Sequence, residues 1–371
     1  MPKPCVPDPL PLQQLEWRTL LPLVGHANAC LARYDGMVQT LPNAAVLLSP
    51  ITTQEAVLSS KIEGTQATLD EVLEAEAGLI PAEARRDDID EINNYRAAVY
   101  QAEHDLGHRG ITLSLIKAAH QRLLQGVRGR DKTPGKFRDD QNWIGRRGDP
   151  IEKARFVPPN PMIMQAALDD WASYIELQTE DPILQTAIAH AQFEIIHPFR
   201  DGNGRIGRML IPLILYKRKT LFRPMFYMSE YLEEHREEYY DRLLAITSRG
   251  DWQGWISFFL EAMIVQAIAN TDKVRRIRDL YEETKKTVVD ITHSQFAIGA
   301  VDALFAQPVI SSVRFGQSGG FANRVTANNM LRQLDIHGVI RRIRAGSGRT
   351  PATYAFPALI NIAEGKTVFR A

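Results

Sequence analysis

Two cysteines, Cys5 and Cys30, are all that the 371 residues contain. Neither sits in a redox or metal-ligand spacing, so neither a disulfide framework nor a zinc site is supported. Charge of one sign is also missing. Lys and Arg number 44 and Asp and Glu number 44, so no overall field draws the chain toward nucleic acid or membrane. No apolar run approaches the ~20 residues that a membrane-spanning helix needs. The Pro-rich start lacks the long apolar stretch of a secretory leader. These absences predict a cytoplasmic protein with no membrane partner.

The neutral total hides an asymmetry. Residues 292–371 carry nine Lys or Arg against three Asp or Glu. That is a net charge of about +6, and it leaves the remainder near −6. The hydrophobic spacing is helical nearly throughout. A helix is predicted from Trp17 to Val38, with Pro22 tolerated in its first turn, and Leu41-Pro42-Asn43 ends it. A shorter one follows from Thr53 to Gly64, where the glycine is a stop signal. Thr68 and Glu71 make a capping box opening another. Pro81 to Asp88 reads as a charged connector, and Asp88–Leu106, Thr112–Gln125, Pro161–Gln178 and Pro182–His197 read as helices. Tyr231–Ser248 reads as one helix. Asp251 caps a long one in which Trp252, Trp255, Phe259 and Met263 mark a core face, and Lys273–Lys286 reads as a solvated continuation.

The densest chemistry lies in His197-Pro198-Phe199-Arg200-Asp201-Gly202-Asn203-Gly204-Arg205-Ile206-Gly207-Arg208. Gly202 and Gly204 let the chain fold back, so that successive N–H groups converge beside the positive end of the next helix. Arg205 and Arg208 are three apart and share a helical face. Two guanidiniums beside an amide nest suit a polyphosphate. Asp201 offers a hard oxygen of the kind Mg²⁺ takes alongside phosphates. His197 is a residue that can accept a proton near neutral pH. Together they point to phosphoryl or nucleotidyl transfer to a nucleophile that must lose a proton.

This stretch resembles the signature of the Fic family, His-x-Phe-x-Asp/Glu-Gly-Asn-Gly-Arg-x-x-Arg, at every fixed position. The resemblance implies an enzyme that moves AMP from ATP onto a Ser, Thr or Tyr hydroxyl of a protein. It implies that His197 deprotonates the hydroxyl and that Asp201 holds Mg²⁺ across the α- and β-phosphates. Gly202, Asn203 and Gly204 would supply the anion hole, Arg205 would meet the β-phosphate and Arg208 the γ-phosphate. Ile206 and Gly207 would complete the nucleotide-binding stretch, and Phe199 would anchor the loop in the core. Ser59 and Glu63 share a helix face, which by spacing alone is an ordinary polar surface. Ser59 to Gly64 is, however, similar to the inhibitory motif Ser/Thr-x-x-x-Glu-Gly/Asn of many Fic proteins. That likeness implies that Glu63 pairs with Arg208 and keeps it from orienting the γ-phosphate.

Residues 126–161 break the helical pattern with Gly, Arg, Asp and Pro around Phe137, Trp143, Ile144, Phe156 and Val157. This stretch reads as a surface loop or a hairpin. It resembles the Fic flap, which would hold the target protein by β-augmentation. Tyr239 and Tyr240 are either core aromatics or, by the same resemblance, walls around the adenosine. From Ser294 the order of helices, a strand Val339–Arg344 and a strand Thr353–Phe356 looks like a winged helix-turn-helix. Arg324, Arg332, Arg341, Arg342, Arg344 and Arg349 are placed there for phosphate contacts, with DNA or a protein as the partner.

The expected architecture is therefore mainly α. It consists of an N-terminal segment with an inhibitory helix (1–87), a Fic-type helical core with a small β-hairpin flap (88–291), and a winged helix-turn-helix domain (292–371). The expected activity is autoinhibited protein adenylylation, with the protein itself among its targets and a homodimer as an assembly. Removal of AMP by the same site, and DNA-linked regulation with a nucleotide-sensing core, are the alternatives.

Overall fold

The computed structural model describes residues 3–145, 148 and 150–368. In chain order the helices are α1 (Trp17–Gln39), α2 (Ala44–Leu47), α3 (Ser49–Ile62), α4 (Leu69–Glu76), α5 (Glu83–Arg109), α6 (Leu113–Leu123), α7 (Pro161–Tyr174), α8 (Pro182–Ile196), α9 (Asn203–Lys217), α10 (Ser229–Glu234), α11 (Arg236–Arg249) and α12 (Trp252–Thr292). There follow α13 (Ala297–Ala306), β1 (Val309–Ser311), α14 (Ser312–Ser318), α15 (Arg324–Ile336), β2 (Arg341–Arg344), β3 (Thr353–Ala355) and α16 (Pro357–Glu364). Among the described residues, no helix is long and apolar enough to cross a membrane.

The chain forms two compact units that interleave in sequence. One contains Met1–Asp35, Leu58–Gly64 and Asn93–Ile268; the other contains Gly36–Val57, Thr65–Ile92 and Ala269–Ala371. Three local expectations change. Helix α5 starts at Glu83, inside the stretch read as a connector. The Tyr231–Ser248 stretch is two helices meeting at His235, which closes α10 and precedes α11. The Lys273–Lys286 stretch belongs to the 41-residue α12. It is not simply solvated, because Val274, Ile277 and Tyr281 form a buried stripe between its charges.

The first unit is built around α8. Every residue from Ile183 to Ile196 is buried except Glu194. A helix that is apolar all round has to sit in the middle of its neighbours. Asp181 starts it by accepting the N–H groups of Ile183 and Leu184 at 2.9 and 3.1 Å, and Pro182 fits the first helical position. Trp171 of α7 and Trp255 of α12 each bury an indole against it. Their N–H groups donate to the carbonyls of Ala189 and Ala187 at 2.8 and 2.9 Å. Helix α9 packs against α8 after a tight loop, and its whole span from Ile206 to Leu215 is buried.

In the second unit β1, β3 and β2 form an antiparallel sheet in that order. Strand β1 and helix α16 lie outside the elements expected from sequence. The sheet does not complete its own core. Helix α4, capped where the Glu71 carboxylate accepts the Thr68 N–H at 2.9 Å, inserts Leu69, Leu73 and Ala77 against Val309, Ala355, Ile360 and Ala363. Residues more than 200 positions apart thus share one cluster. Leu73→Ala should cost about 2–5 kcal/mol in a urea titration, the usual range for a buried leucine. A loss below ~1 kcal/mol would mean that α4 is not part of this core.

Candidate active site

The loop between α8 and α9 is shaped by its backbone first. His197 ends α8 in the left-handed region, with φ 49° and ψ 61°, a conformation that costs a non-glycine residue unless its surroundings enforce it. Arg138 enforces it. Its buried guanidinium donates to the carbonyls of His197 at 2.9 Å, Asp140 at 2.9 Å, Pro159 at 2.5 Å and Ile196 at 3.4 Å. Its own N–H reaches the Pro198 carbonyl at 2.9 Å. Phe199 is fully buried. The Asn203 amide clamps it from both sides, accepting its N–H and donating to its carbonyl at 2.8 Å each. Asn203 therefore acts through its side chain as a loop lock, while its backbone opens α9. Gly202, with φ 79°, makes the turn into the helix. The N–H groups of Asn203, Gly204 and Arg205 precede the first helical hydrogen bond, Ile206 to Gly202 at 3.1 Å, and so form the positive end of α9.

His197 donates from Nδ1 to the Glu194 carbonyl at 3.3 Å. A carbonyl can only accept, so the proton sits on Nδ1 and Nε2 carries the lone pair. Burial pulls this histidine down to about 4, and the Arg138 charge pushes the same way. His120 lies parallel to Phe199, with ring centroids 3.7 Å apart. It accepts the Gly135 N–H on Nδ1 at 2.9 Å and donates from Nε2 to the Asp201 carbonyl at 2.9 Å. Asp201 itself is partly exposed and lies 3.6 Å from the buried Arg205. Gly129 packs so closely that a Cβ there would stand 2.9 Å from the Asp201 carboxylate.

Arg208, 1 % exposed in its side chain, is held from three points on and after α3. Nε donates to the Ser59 hydroxyl at 2.9 Å, and Nη2 donates to the Ser59 carbonyl at 2.8 Å and to Glu63 Oε1 at 2.7 Å. Burial works against the Glu63 charge, but Arg208 outweighs it and keeps the carboxyl below its ordinary range. Gly64, with φ 105°, turns the chain away directly afterwards. The Glu63 carboxylate lies over Gly204, where any Cβ would collide with it. The Glu194 carboxyl lies over Gly207 in the same way. Burial raises Glu194 to about 8, and its Oε1 has no hydrogen-bond partner.

The two tyrosines separate. Tyr239 turns into the core and its hydroxyl donates to His190 Nε2 at 3.0 Å, while His190 Nδ1 donates to the Gly207 carbonyl at 3.0 Å. Tyr240 instead faces a cavity of about 700 Å³, walled also by Ile144, Phe156, Glu194, Leu244 and Thr247. That volume suits a drug-sized or nucleoside-sized ligand. The 126–161 stretch forms part of this wall. Among the described residues its pairing is one antiparallel bridge between Ile144 and Phe156, with a 3₁₀ turn at Ile151–Lys153 between them. His120, His190 and Glu194 were not singled out from sequence, and Arg138 was read only as part of the flap stretch. The signal for His120 was present: it shares a helix face with Ile116 and Leu123, and a polar ring on an apolar face needs partners.

Burial holds three histidines neutral: His120 at about 4, His190 at about 3 and His197 at about 4. Their unfolded values are near 6.5, so between pH 6.5 and 4 the unfolded chain binds more protons than the folded one. Stability should therefore fall as pH falls through that window, with Glu194 opposing by about one proton. Thermal melts at pH 7.0, 6.0, 5.0 and 4.5 should show a steadily dropping Tm. A flat Tm over that range would contradict the neutral, buried placement of the rings.

The Fic/DOC family N-terminal model matches residues 21–104, and the Fic/DOC family model matches residues 110–215. Protein adenylyltransferase fic-1 of Caenorhabditis elegans is 31 % identical over 154 residues, 41 % of this chain and 27 % of that protein. A probable protein adenylyltransferase of Aquifex aeolicus is 29 % identical over 196 residues, 51 % of this chain and 56 % of that protein. The chain thus spans little more than a quarter and a half of these two curated relatives. Among solved structures, a Fic family protein of Desulfovibrio desulfuricans G20 superposes with a TM-score of 0.58 at 23 % identity, over 94 % of this chain and 98 % of that one. A Fic-1 fragment of C. elegans gives 0.52 at 20 % identity, over 70 % and 73 %. These structural likenesses are of fold. With its signature loop set between α8 and α9 and both family models matched in order, the chain belongs to the Fic/DOC family.

Proposed function

We propose that this chain transfers AMP from ATP to a hydroxyl of a protein, and that Glu63 holds the activity down. The observation that carries the reading is the contact of the buried Arg208 with the half-buried Glu63, made on the same glycine-lined face of α9 that follows His197. A base with its lone pair on Nε2 stands at one end of this face, and a guanidinium engaged by a carboxylate stands at the other.

In the transfer, the target oxygen attacks the α-phosphorus as its proton passes to Nε2 of His197. The bond from that phosphorus to the bridging oxygen breaks, and pyrophosphate leaves. Arg205 and Arg208 would meet the β- and γ-phosphates, and the amides at the start of α9 would meet the α-phosphate oxygens. The adenosine would occupy the cavity beside Tyr240. Mg²⁺ commonly takes one protein carboxylate and fills the rest of its shell with phosphate oxygens and water. Asp201 would hold it, and the ion would supply charge neutralisation on the phosphates.

The target protein would lie along the 126–161 stretch, where Trp143 and Ile144 are 43 % and 38 % exposed. An extended segment pairing there presents a hydroxyl without its sequence being read, and the protein's own surface can serve as a target. Repression follows from competition. While Arg208 is engaged by Glu63 and Ser59, it cannot turn to the γ-phosphate, and the α-phosphorus is misaligned for in-line attack.

With α-labelled ATP and Mg²⁺, Glu63→Gly should raise protein labelling roughly 30- to 100-fold, the equivalent of a charge-assisted contact of about 2–3 kcal/mol. In that background His197→Ala should lower labelling by about 10²–10⁴. Unchanged labelling without the imidazole would overturn the mechanism. Release of AMP from a pre-adenylylated protein that the parent catalyses and Glu63→Gly does not would point to hydrolytic removal of AMP instead. The acid limb of the Glu63→Gly pH profile should lie well below 6.5, because His197 stays neutral down to about 4.

A further inference from the structure

The basic excess of residues 292–371 is not spread evenly over the second unit. On α15 the buried positions Ala327, Met330, Leu331 and Leu334 occupy one side of the helix. The exposed positions Arg324, Val325, Asn328, Asn329, Arg332 and Ile336 occupy the opposite arc. None of those exposed positions is a carboxylate, and the half-buried Asp335 lies below Arg324 on the same side of the helix. The helix start is fixed by Asn323, which accepts the Thr326 N–H at 2.9 Å. At the helix end, Asp335 uses its carboxylate to accept the Arg342 N–H at 3.0 Å, so β2 leaves from the foot of α15.

The sheet register sorts the remaining arginines. Arg342 pairs with Tyr354 and stays exposed. Arg341 pairs with Ala355 and is exposed as well. Arg344 is turned inward and donates to the Gly78 carbonyl at 3.4 Å. Arg349, in the turn that joins β2 to β3, is exposed. Of the six arginines that sequence places in this region, five therefore stand on exposed positions, and because Arg341 already has an interaction partner the four assigned as contacts are Arg324, Arg332, Arg342 and Arg349.

We propose that α15 and the β2–β3 ribbon bind double-stranded DNA, with α15 in the major groove. A single α-helix fits that groove. Arg324 and Arg332 at its two ends, and Arg342 and Arg349 on the ribbon, supply phosphate or guanine contacts. Asn328 and Asn329 carry the amide pattern that recognises adenine, and Val325, 69 % exposed, suits a thymine methyl. The acidic remainder of the chain explains why a neutral protein can still hold one cationic reading surface.

The test is fluorescence anisotropy of the full chain with a fluorescein-labelled 24-base-pair DNA duplex of mixed sequence, from 50 to 200 mM salt. The full chain is required because α4 completes the core of this unit. Four phosphate contacts predict a log–log salt slope of about −3.6, or roughly 100-fold weaker binding across that range. Arg342→Ala with Arg349→Ala should flatten the slope by about 2, and Asn328→Ala should relax the base preference obtained by selection from random duplexes. His197→Ala should leave binding unchanged, which separates this surface from the transferase reading. Absence of binding at 50 mM salt, a slope near zero, or equal binding by a variant lacking all four arginines would overturn the proposal. Tighter binding to an RNA duplex of the same length would overturn it as well.

Discussion

One guanidinium has two claimants. Arg208 is buried on α9, and a charge in that position needs an opposite charge and filled hydrogen bonds to be tolerated. Glu63 supplies the charge, and with Ser59 it fills the bonds of Nε and Nη2, while Nη1 stays unpartnered. A triphosphate arriving on the same face must supply them in their place. The competition is between like partners for one fixed cation, so a small movement after α3 changes the site without any change in α9. The glycines follow from the same constraint. Gly204 and Gly207 are bare because carboxyl groups of Glu63 and Glu194 rest on them, and a side chain at either position would exclude one of the two.

The rest of the site is arranged so that its base needs no adjustment. Arg138 holds the His197 backbone in a conformation that it would not adopt alone, and its charge disfavours protonation of the ring. His120 couples the Asp201 carbonyl to the Gly135 N–H through one neutral ring. His190 does the same between Gly207 and Tyr239. Each imidazole joins α9 or its loop to an element distant in sequence. The order of the loop is thus inherited from the burial of these rings, which is a general property of polar groups in low-dielectric surroundings.

The legible parts of this protein are those whose physics is local. The turn glycines, the arginine spacing and the histidine at a helix end lie within twelve consecutive residues, so their chemistry could be read directly. Thr68 and Glu71 announced α4, and Asp251 announced α12, because caps act over three or four residues. What could not be read depends on contacts across the chain. Helix α4 joins a sheet more than 230 residues away, and no periodicity reports that. Tyr239 and Tyr240 are neighbours with the same side chain, and only the position of His190 decides which one is core. Arg344 looks like its neighbours in sequence, yet the register and Gly78 take it out of the exposed set. The 126–161 stretch was legible as non-helical, but the bridge between Ile144 and Phe156, the pairing among its described residues, was not.

The central claim is that Glu63 and Arg208 are energetically coupled in the resting protein. A double-mutant cycle measures this directly, using urea unfolding at pH 7 of the parent, Glu63→Ala, Arg208→Ala and the double variant. The account predicts a coupling energy of about 2–3 kcal/mol, with the double variant less destabilised than the sum of the single ones. Additivity to within ~0.5 kcal/mol would contradict it, since the carboxylate would then stand beside the guanidinium without holding it.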